Sequence, residues 1–356
     1  MRHTATSLPA PPPFELERLV RPNIRRLTPY SSARDEFTGT GEVFVDANEN
    51  PFGRHNRYPD PHQRALKGEL ARQRQLRAAQ IFVGNGSDEL IDLTFRIFCR
   101  PGVDRVLTTP PTYGMYRVSA AINDVEVVRV PLRADFQLDL PALMTRLDDP
   151  QLKIVFLCSP NNPTGNLLAT PDIERILRRF PGIVFIDEAY ADFTDQPSWT
   201  TRLDEFPNLL VSQTMSKSYG LAGARVGLGF ASADIMELLR RVKPPYNVNA
   251  LSQAVALERL RDRTGFERER TTLLAERAKL LEQLPKIAGV RRVFPTDTNF
   301  ILFRVDEPDT VYRTLTERGV IVRNQHGKIP GALRISVGTP AENTLVLQHL
   351  EACLRG

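Results

Sequence analysis

Strand-like and helix-like segments alternate from Ile81 to Ala231, and that alternation predicts an α/β fold. The expected architecture is a large domain with a mostly parallel seven-stranded sheet between helices, plus a smaller α+β domain. Two further observations support it. Lys153–Cys158 and Ile183–Ile186 are nearly continuous apolar runs, as in strands buried on both faces. After Lys243-Pro244-Pro245 the alternation gives way to long helical stretches with only a few strands.

In chain order, Met1 to about Pro13 reads as a proline-rich lead. Phe14–Val20 reads as a short helix cut off by Pro22. Val43–Asp46 is expected to be a short strand. Ala47–Gly53 and Arg57–Pro61 carry turn chemistry. A helix is predicted over about Gln63–Leu76. Ile81–Val83 is a strand that runs through Gly84-Asn85-Gly86 into a helix ending near Phe98. Strands follow at Arg105–Thr109, Glu126–Val130, Lys153–Cys158, Ile183–Ile186, Leu209–Ser212 and Val226–Ala231. Helices are expected to open near Tyr116, and over Asp139–Leu147 and Pro171–Phe180. Ala250 to about Leu284 is helical with a break. Strands are predicted at Phe300–Phe303, Val320–Arg323 and Ala332–Val337. Helices are predicted at Thr310–Arg318, closed by Gly319, and at Pro340–Leu354.

Bulk properties narrow the function classes. The 356 residues are 41% hydrophobic and 25% charged, ordinary for a globular protein. The 47 basic and 42 acidic residues nearly balance, which gives no nucleic-acid footprint. Cys99, Cys158 and Cys353 show no CxxC spacing, against a disulfide framework or zinc site. No apolar run approaches the roughly 20 residues that span a bilayer. The expectation is a cytoplasmic enzyme with no nucleic-acid or membrane partner.

The chemistry centres on Gln213–Arg225. One lysine, Lys217, lies in a loop with several hydroxyls, two glycines and Arg225, between two strands. A lysine in such a loop can form a Schiff base, because restricted water lowers its pKa. The hydroxyls and Arg225 form an anion site. An aldehyde-binding lysine beside a phosphate site points to pyridoxal 5′-phosphate. A second anion site is available at Gly84–Glu89, where a glycine turn feeds a helix N-terminus. The same segment also reads as a helix simply capped by Ser87.

The ordered set Asn162-Pro163-Thr164-Gly165, Asp187-x-x-Tyr190, Ser216-Lys217 and Arg225 resembles the fold type I PLP-dependent aminotransferases. Finer features resemble the histidinol-phosphate aminotransferase family: Leu27–Tyr30, Ala47–Pro51, Arg57-Tyr58-Pro59, Arg323 and Leu333–Gly338. The resemblance covers nearly the whole chain. It implies an N-terminal arm over 1–45 joining the small domain, a PLP-binding large domain over 46–245, and a small domain over 246–356.

The resemblance also implies roles. Lys217 holds PLP as an internal aldimine and moves the proton. Asp187 keeps the ring nitrogen protonated, so that the ring stays an electron sink. Asn162 and Tyr190 serve the ring oxygen, and Tyr113 stacks on the ring. Gly86, Ser87, Asp88, Ser216 and Arg225 hold the phosphate. Tyr58 reaches in from a neighbouring subunit, which implies a homodimer with shared active sites. Arg334 grips the α-carboxylate, and Arg323 with Tyr30 takes the substrate phosphate. The implied reaction converts imidazole-acetol phosphate and glutamate to histidinol phosphate and 2-oxoglutarate. The alternatives on the same frame are an aromatic amino-acid aminotransferase and a PLP-dependent phospho-amino-acid decarboxylase.

Overall fold

The structure is a computed structural model that describes residues 13–31, 41 and 43–355. Most of the proline-rich lead and part of the expected N-terminal arm lie outside the described residues.

Seven strands form the large sheet: β1 (Ile81–Asn85), β2 (Arg105–Thr108), β3 (Glu126–Arg129), β4 (Leu152–Cys158), β5 (Ile183–Asp187), β6 (Leu209–Thr214) and β7 (Val226–Phe230). Their spatial order is β1-β7-β6-β5-β4-β2-β3. The pairs β2/β3, β2/β4, β4/β5 and β5/β6 are parallel. Only β7 runs against its neighbours β1 and β6.

Strand periodicity explains how the sheet is buried. Ile154 and Phe156 join one hydrophobic cluster, while Val155 and Leu157 join the other. Alternate side chains point to opposite faces, so a near-continuous apolar run is needed when helices cover both. Phe156 and Phe185 are fully buried. Burying each stabilises the fold by roughly 2–3 kcal/mol relative to leaving it exposed.

The parallel geometry also gathers polar residues. β4, β5 and β6 end at one edge of the sheet, and the loops beyond them carry Asn162, Tyr190 and Lys217. That edge is where open α/β sheets bind ligands.

A second, antiparallel sheet is built from β8 (Val290–Val293), β9 (Phe300–Val305), β10 (Arg323–Asn324) and β11 (Ala332–Ser336), in the order β10-β11-β9-β8. The helix Pro340–Leu354 has a Thr339–Glu342 capping box at its start. The long helical stretch breaks at Asp262, whose side chain caps the second helix through the Gly265 N–H. No helix among the described residues is long and apolar enough to cross a membrane.

Several expectations need correction. Val43–Asp46 forms no strand, and Val43 and Val45 are 78% and 88% exposed. Their β-branched character has no neighbouring ladder to join. Val320–Arg323 yields only the two-residue β10 with Asn324. β8 and the helices Pro22–Arg25 and Ala233–Val242 were not expected from the sequence.

Candidate active site

The strand ends surround one cleft, lined by Ser87, Asp88, Tyr113, Cys158, Asn162, Asp187, Ala189, Tyr190, Thr214, Ser216, Lys217 and Arg225. Nine of the residues singled out from the sequence therefore converge within one chain. They come from one helix start, from the last residue of β5 and from the segments that follow β2, β4, β5 and β6, so the convergence is a property of the topology.

Asp187 closes β5 and is 2% exposed. Its carboxylate accepts hydrogen bonds from the Tyr116 hydroxyl at 2.7 Å and the Ala189 N–H at 3.1 Å. Burial pushes its pKa up to about 6, with the Tyr116 hydrogen bond opposing the rise. The adjacent Glu188 is fully committed to structure. It accepts from the Trp199 N–H, Ser198 and Gln213 at 2.8, 2.5 and 2.9 Å. Of the two neighbouring acids, Asp187 is the one that lines the cleft.

The two asparagines after β4 divide in the same way. Asn161 is buried and ties the loop together through Pro111 and Thr164, at 2.8 and 2.7 Å. Asn162 lines the cleft. It donates to the Tyr190 hydroxyl at 3.2 Å and accepts from the Arg334 guanidinium at 2.5 Å. Arg334 thus reaches the cleft from the second sheet, with its guanidinium over the Phe300 ring at 4.8 Å.

Lys217 sits after β6, with its amine 5.8 Å from the Tyr190 ring centroid. The side chain is solvent-exposed. Partial desolvation of the amine still lowers its pKa; Arg334 and Arg225 add to the shift and Asp187 opposes it. Both effects favour the neutral amine.

The Gly86 turn, Ser216 and Arg225 meet beside the start of the helix Ser87–Phe98. Gly86 occupies the cap of the helix Ser87–Phe98, with φ +78°, so Ser87 is the first helical residue rather than its cap. The Gly86 N–H donates to the carbonyls of Gly84 and Arg225, at 3.0 and 2.9 Å. That N–H is therefore committed to the turn. The first-turn N–H groups of Ser87 and Asp88 have no intrahelical acceptor. Arg225 donates to the Ser216 hydroxyl at 3.4 Å and lies 3.8 Å from the Asp88 carboxylate. Asp88 also accepts from the Tyr113 hydroxyl at 3.0 Å.

Two contributors were missed at the sequence level. Tyr116, in the first turn of the helix Met115–Ile122 and edge-on to the Tyr113 ring at 5.6 Å, anchors Asp187. Gly227 lets β7 approach the helix start: a Cβ there would lie 2.2 Å from the Gly86 carbonyl carbon and 2.3 Å from the Ser87 nitrogen.

Three residues do not line this cleft in the single chain. Tyr58 is 52% exposed and stacks on Tyr246 with ring centroids 4.4 Å apart. Tyr30 is 74% exposed and lines a separate cavity with Arg240, Arg241 and Lys243. Arg323 is exposed on β10, directly across from Arg334 on β11.

Residues 35–350 match the family model described as aminotransferase class I and II. A histidinol-phosphate aminotransferase from Flavobacterium johnsoniae is 45% identical over 344 residues, covering 95% of this chain and 98% of the relative. One from Bacteroides fragilis is 48% identical over 340 residues, covering 94% and 98%. The chain belongs to the histidinol-phosphate aminotransferase family of class I and II aminotransferases. Among solved structures, the histidinol-phosphate aminotransferase from Clostridium acetobutylicum superposes with a TM-score of 0.78 at 25% identity, over 85% of this chain and 91% of that one.

The cofactor of this aminotransferase is pyridoxal 5′-phosphate, and the residues present fit it. A buried carboxylate with a raised pKa is a costly group that a ring N–H would satisfy. Gly86 lets the Arg225 guanidinium stand against the helix start, where a Cβ would lie 2.5 Å from it. Lys217, Asp187, Ser216 and Arg225 share the one cleft.

Proposed function

We propose that this aminotransferase moves the amino group of glutamate to imidazole-acetol phosphate, giving histidinol phosphate and 2-oxoglutarate in histidine biosynthesis. The carrying observation is that Arg334, with Arg323 paired across the ladder, extends a cationic surface away from a cleft that already has a full set of cofactor groups. Two substrates must share that surface in turn. Glutamate presents two carboxylates and histidinol phosphate presents a phosphate, so cations common to both are required.

When bound, the cofactor supplies an electron sink that makes the substrate α-hydrogen acidic. Asp187 would hold the ring N–H, Tyr113 the ring face, and Asn162 with Tyr190 the ring oxygen. Ser87, Asp88, Ser216 and Arg225 would hold the phosphate, with Gly86 shaping the turn. Lys217 would anchor the cofactor through its amine. Once released by the incoming amine, its neutral Nζ would take the proton from the substrate α-carbon. Its lowered pKa supports that role. Arg334 would orient the glutamate α-carboxylate, and Arg323 the substrate phosphate.

We infer a homodimer in which Tyr58 completes the neighbouring subunit's site. Its exposure, with Leu251 and Val255 exposed at 56% and 42%, supports this. We propose a large domain over 46–245 and a small domain over 246–356; that all four strands of the second sheet lie beyond residue 245 supports it.

Steady-state kinetics with 2-oxoglutarate as acceptor test the substrate reading. The kcat/KM for histidinol phosphate should exceed that for phenylalanine by at least about 100-fold, because the unpaired cations penalise a substrate that cannot meet them. Equal or better use of phenylalanine would make this an aromatic aminotransferase instead.

A further inference from the structure

The segment between β10 and β11 is a tight, internally bonded loop. The N–H groups of Lys328 and Ile329 both donate to the Gln325 carbonyl, at 2.9 and 2.8 Å. The Gln325 N–H donates to the Ala332 carbonyl at 3.0 Å, and the Ala332 N–H to the Ile329 carbonyl at 3.0 Å. Gln325 and Ile329 are 6% and 3% exposed, so the loop is anchored from beneath. The Gly331 N–H also donates to His326 Nδ1 at 2.9 Å. Such a loop sets the position of what it carries.

It carries Lys328 outward. The Lys328 amine lies 3.7 Å from where a Cβ would stand at Gly114. Gly114 follows Tyr113, which lines the cleft, and caps the helix Met115–Ile122. Arg117 is one turn along that helix. Arg323, Arg334 and Arg117 all act on Lys328 by repulsion, and no carboxylate offsets them. Among the described residues, no side-chain hydrogen bond or ion pair engages Lys328, Arg117 or Arg323. Arg334 Nε is buried without a partner.

Cations gathered without counter-charge repel one another. An anion carrying two charges would relieve that repulsion, which is the chemistry of a phosphate monoester. We propose that Lys328 is a specificity-determining residue that binds the substrate phosphate together with Arg323, from the Gly114 side of the cleft. The inference rests on the reading above that the substrate is phosphorylated. It assigns a function to a loop lysine outside the motifs that identify the family.

The test compares the holoenzyme with its Lys328→Ala and Lys328→Arg variants. The substrates are histidinol phosphate and unphosphorylated histidinol, and inorganic phosphate serves as competitive inhibitor. Losing one charge-assisted contact should lower the preference for histidinol phosphate over histidinol about tenfold, carried by KM rather than kcat. The inhibition constant for inorganic phosphate should rise by a similar factor, and Lys328→Arg should restore most of both. An unaltered preference and inhibition constant in Lys328→Ala, or equal loss on both substrates, would overturn the assignment alone. A wild-type enzyme that ignores histidinol phosphate would overturn the substrate reading, and this inference with it.

Discussion

Asp187 and Arg334 serve one cleft from two different sheets, and they are held by different means. Asp187 ends a central strand of the large sheet, is buried, and has each carboxylate oxygen bonded by a neighbour on the same sheet or its helices. Arg334 belongs to the second sheet, leaves its buried Nε unpartnered, and bonds across to Asn162. The same contrast separates the residues around each. Ser216, Arg225, Asn162 and Tyr190 bond to one another or to their own loops. Arg323 and Lys328 lie beside Arg334 with no acid among them. The proposed cofactor wall is largely bonded within the fold. The proposed substrate wall gathers cations without counter-charge.

Breaking the cofactor wall at its reactive group should have the largest effect. Lys217→Ala removes both the anchor and the proton carrier, so kcat should fall by about 10⁴-fold or more while the fold survives. Activity within tenfold of wild type would show that another group moves the proton.

Gly227→Ala probes how that wall is assembled. The added Cβ meets the Gly86–Ser87 peptide bond at 2.2 and 2.3 Å, and no side chain can swing away. We expect a loss of about 3 kcal/mol in unfolding free energy, with weakened cofactor binding in the same variant. Stability loss with cofactor affinity intact would separate the β7 contact from the anion site.

The subtlest prediction concerns pH. The Asp187 pKa is raised from its ordinary value of 3.8 to about 6 by burial. The folded protein therefore holds this proton more tightly than the unfolded chain. Its contribution to stability is fully present below about pH 4 and is lost as pH rises through about 6. In the cofactor-free protein, Asp187→Asn should flatten denaturant-measured stability across that window. Parallel profiles for wild type and variant would contradict the burial argument.

The sheet was readable in the sequence because its strands are continuous apolar runs between polar turns, as at Ile183–Ile186. β8 was not, because Val290-Arg291-Arg292-Val293 carries two arginines on an edge strand. Val43–Asp46 misled in the opposite sense: β-branched residues alone do not supply a partner strand. At the site, Asn162, Asp187, Tyr190 and Lys217 were legible because each follows directly from a strand end. Tyr116 was hidden because its fully buried ring reads as core packing, and only the fold brings its hydroxyl to Asp187. Gly227 and Lys328 depend on approaches between distant segments, which no local pattern records.

Lys217 is proposed as the amine that meets the cofactor. Reducing the holoenzyme with borohydride and mapping the modified peptide by mass spectrometry asks this directly. The reduced cofactor is predicted on Lys217, with the label lost in Lys217→Ala. A label on any other lysine, or none on a protein that transaminates, would contradict it.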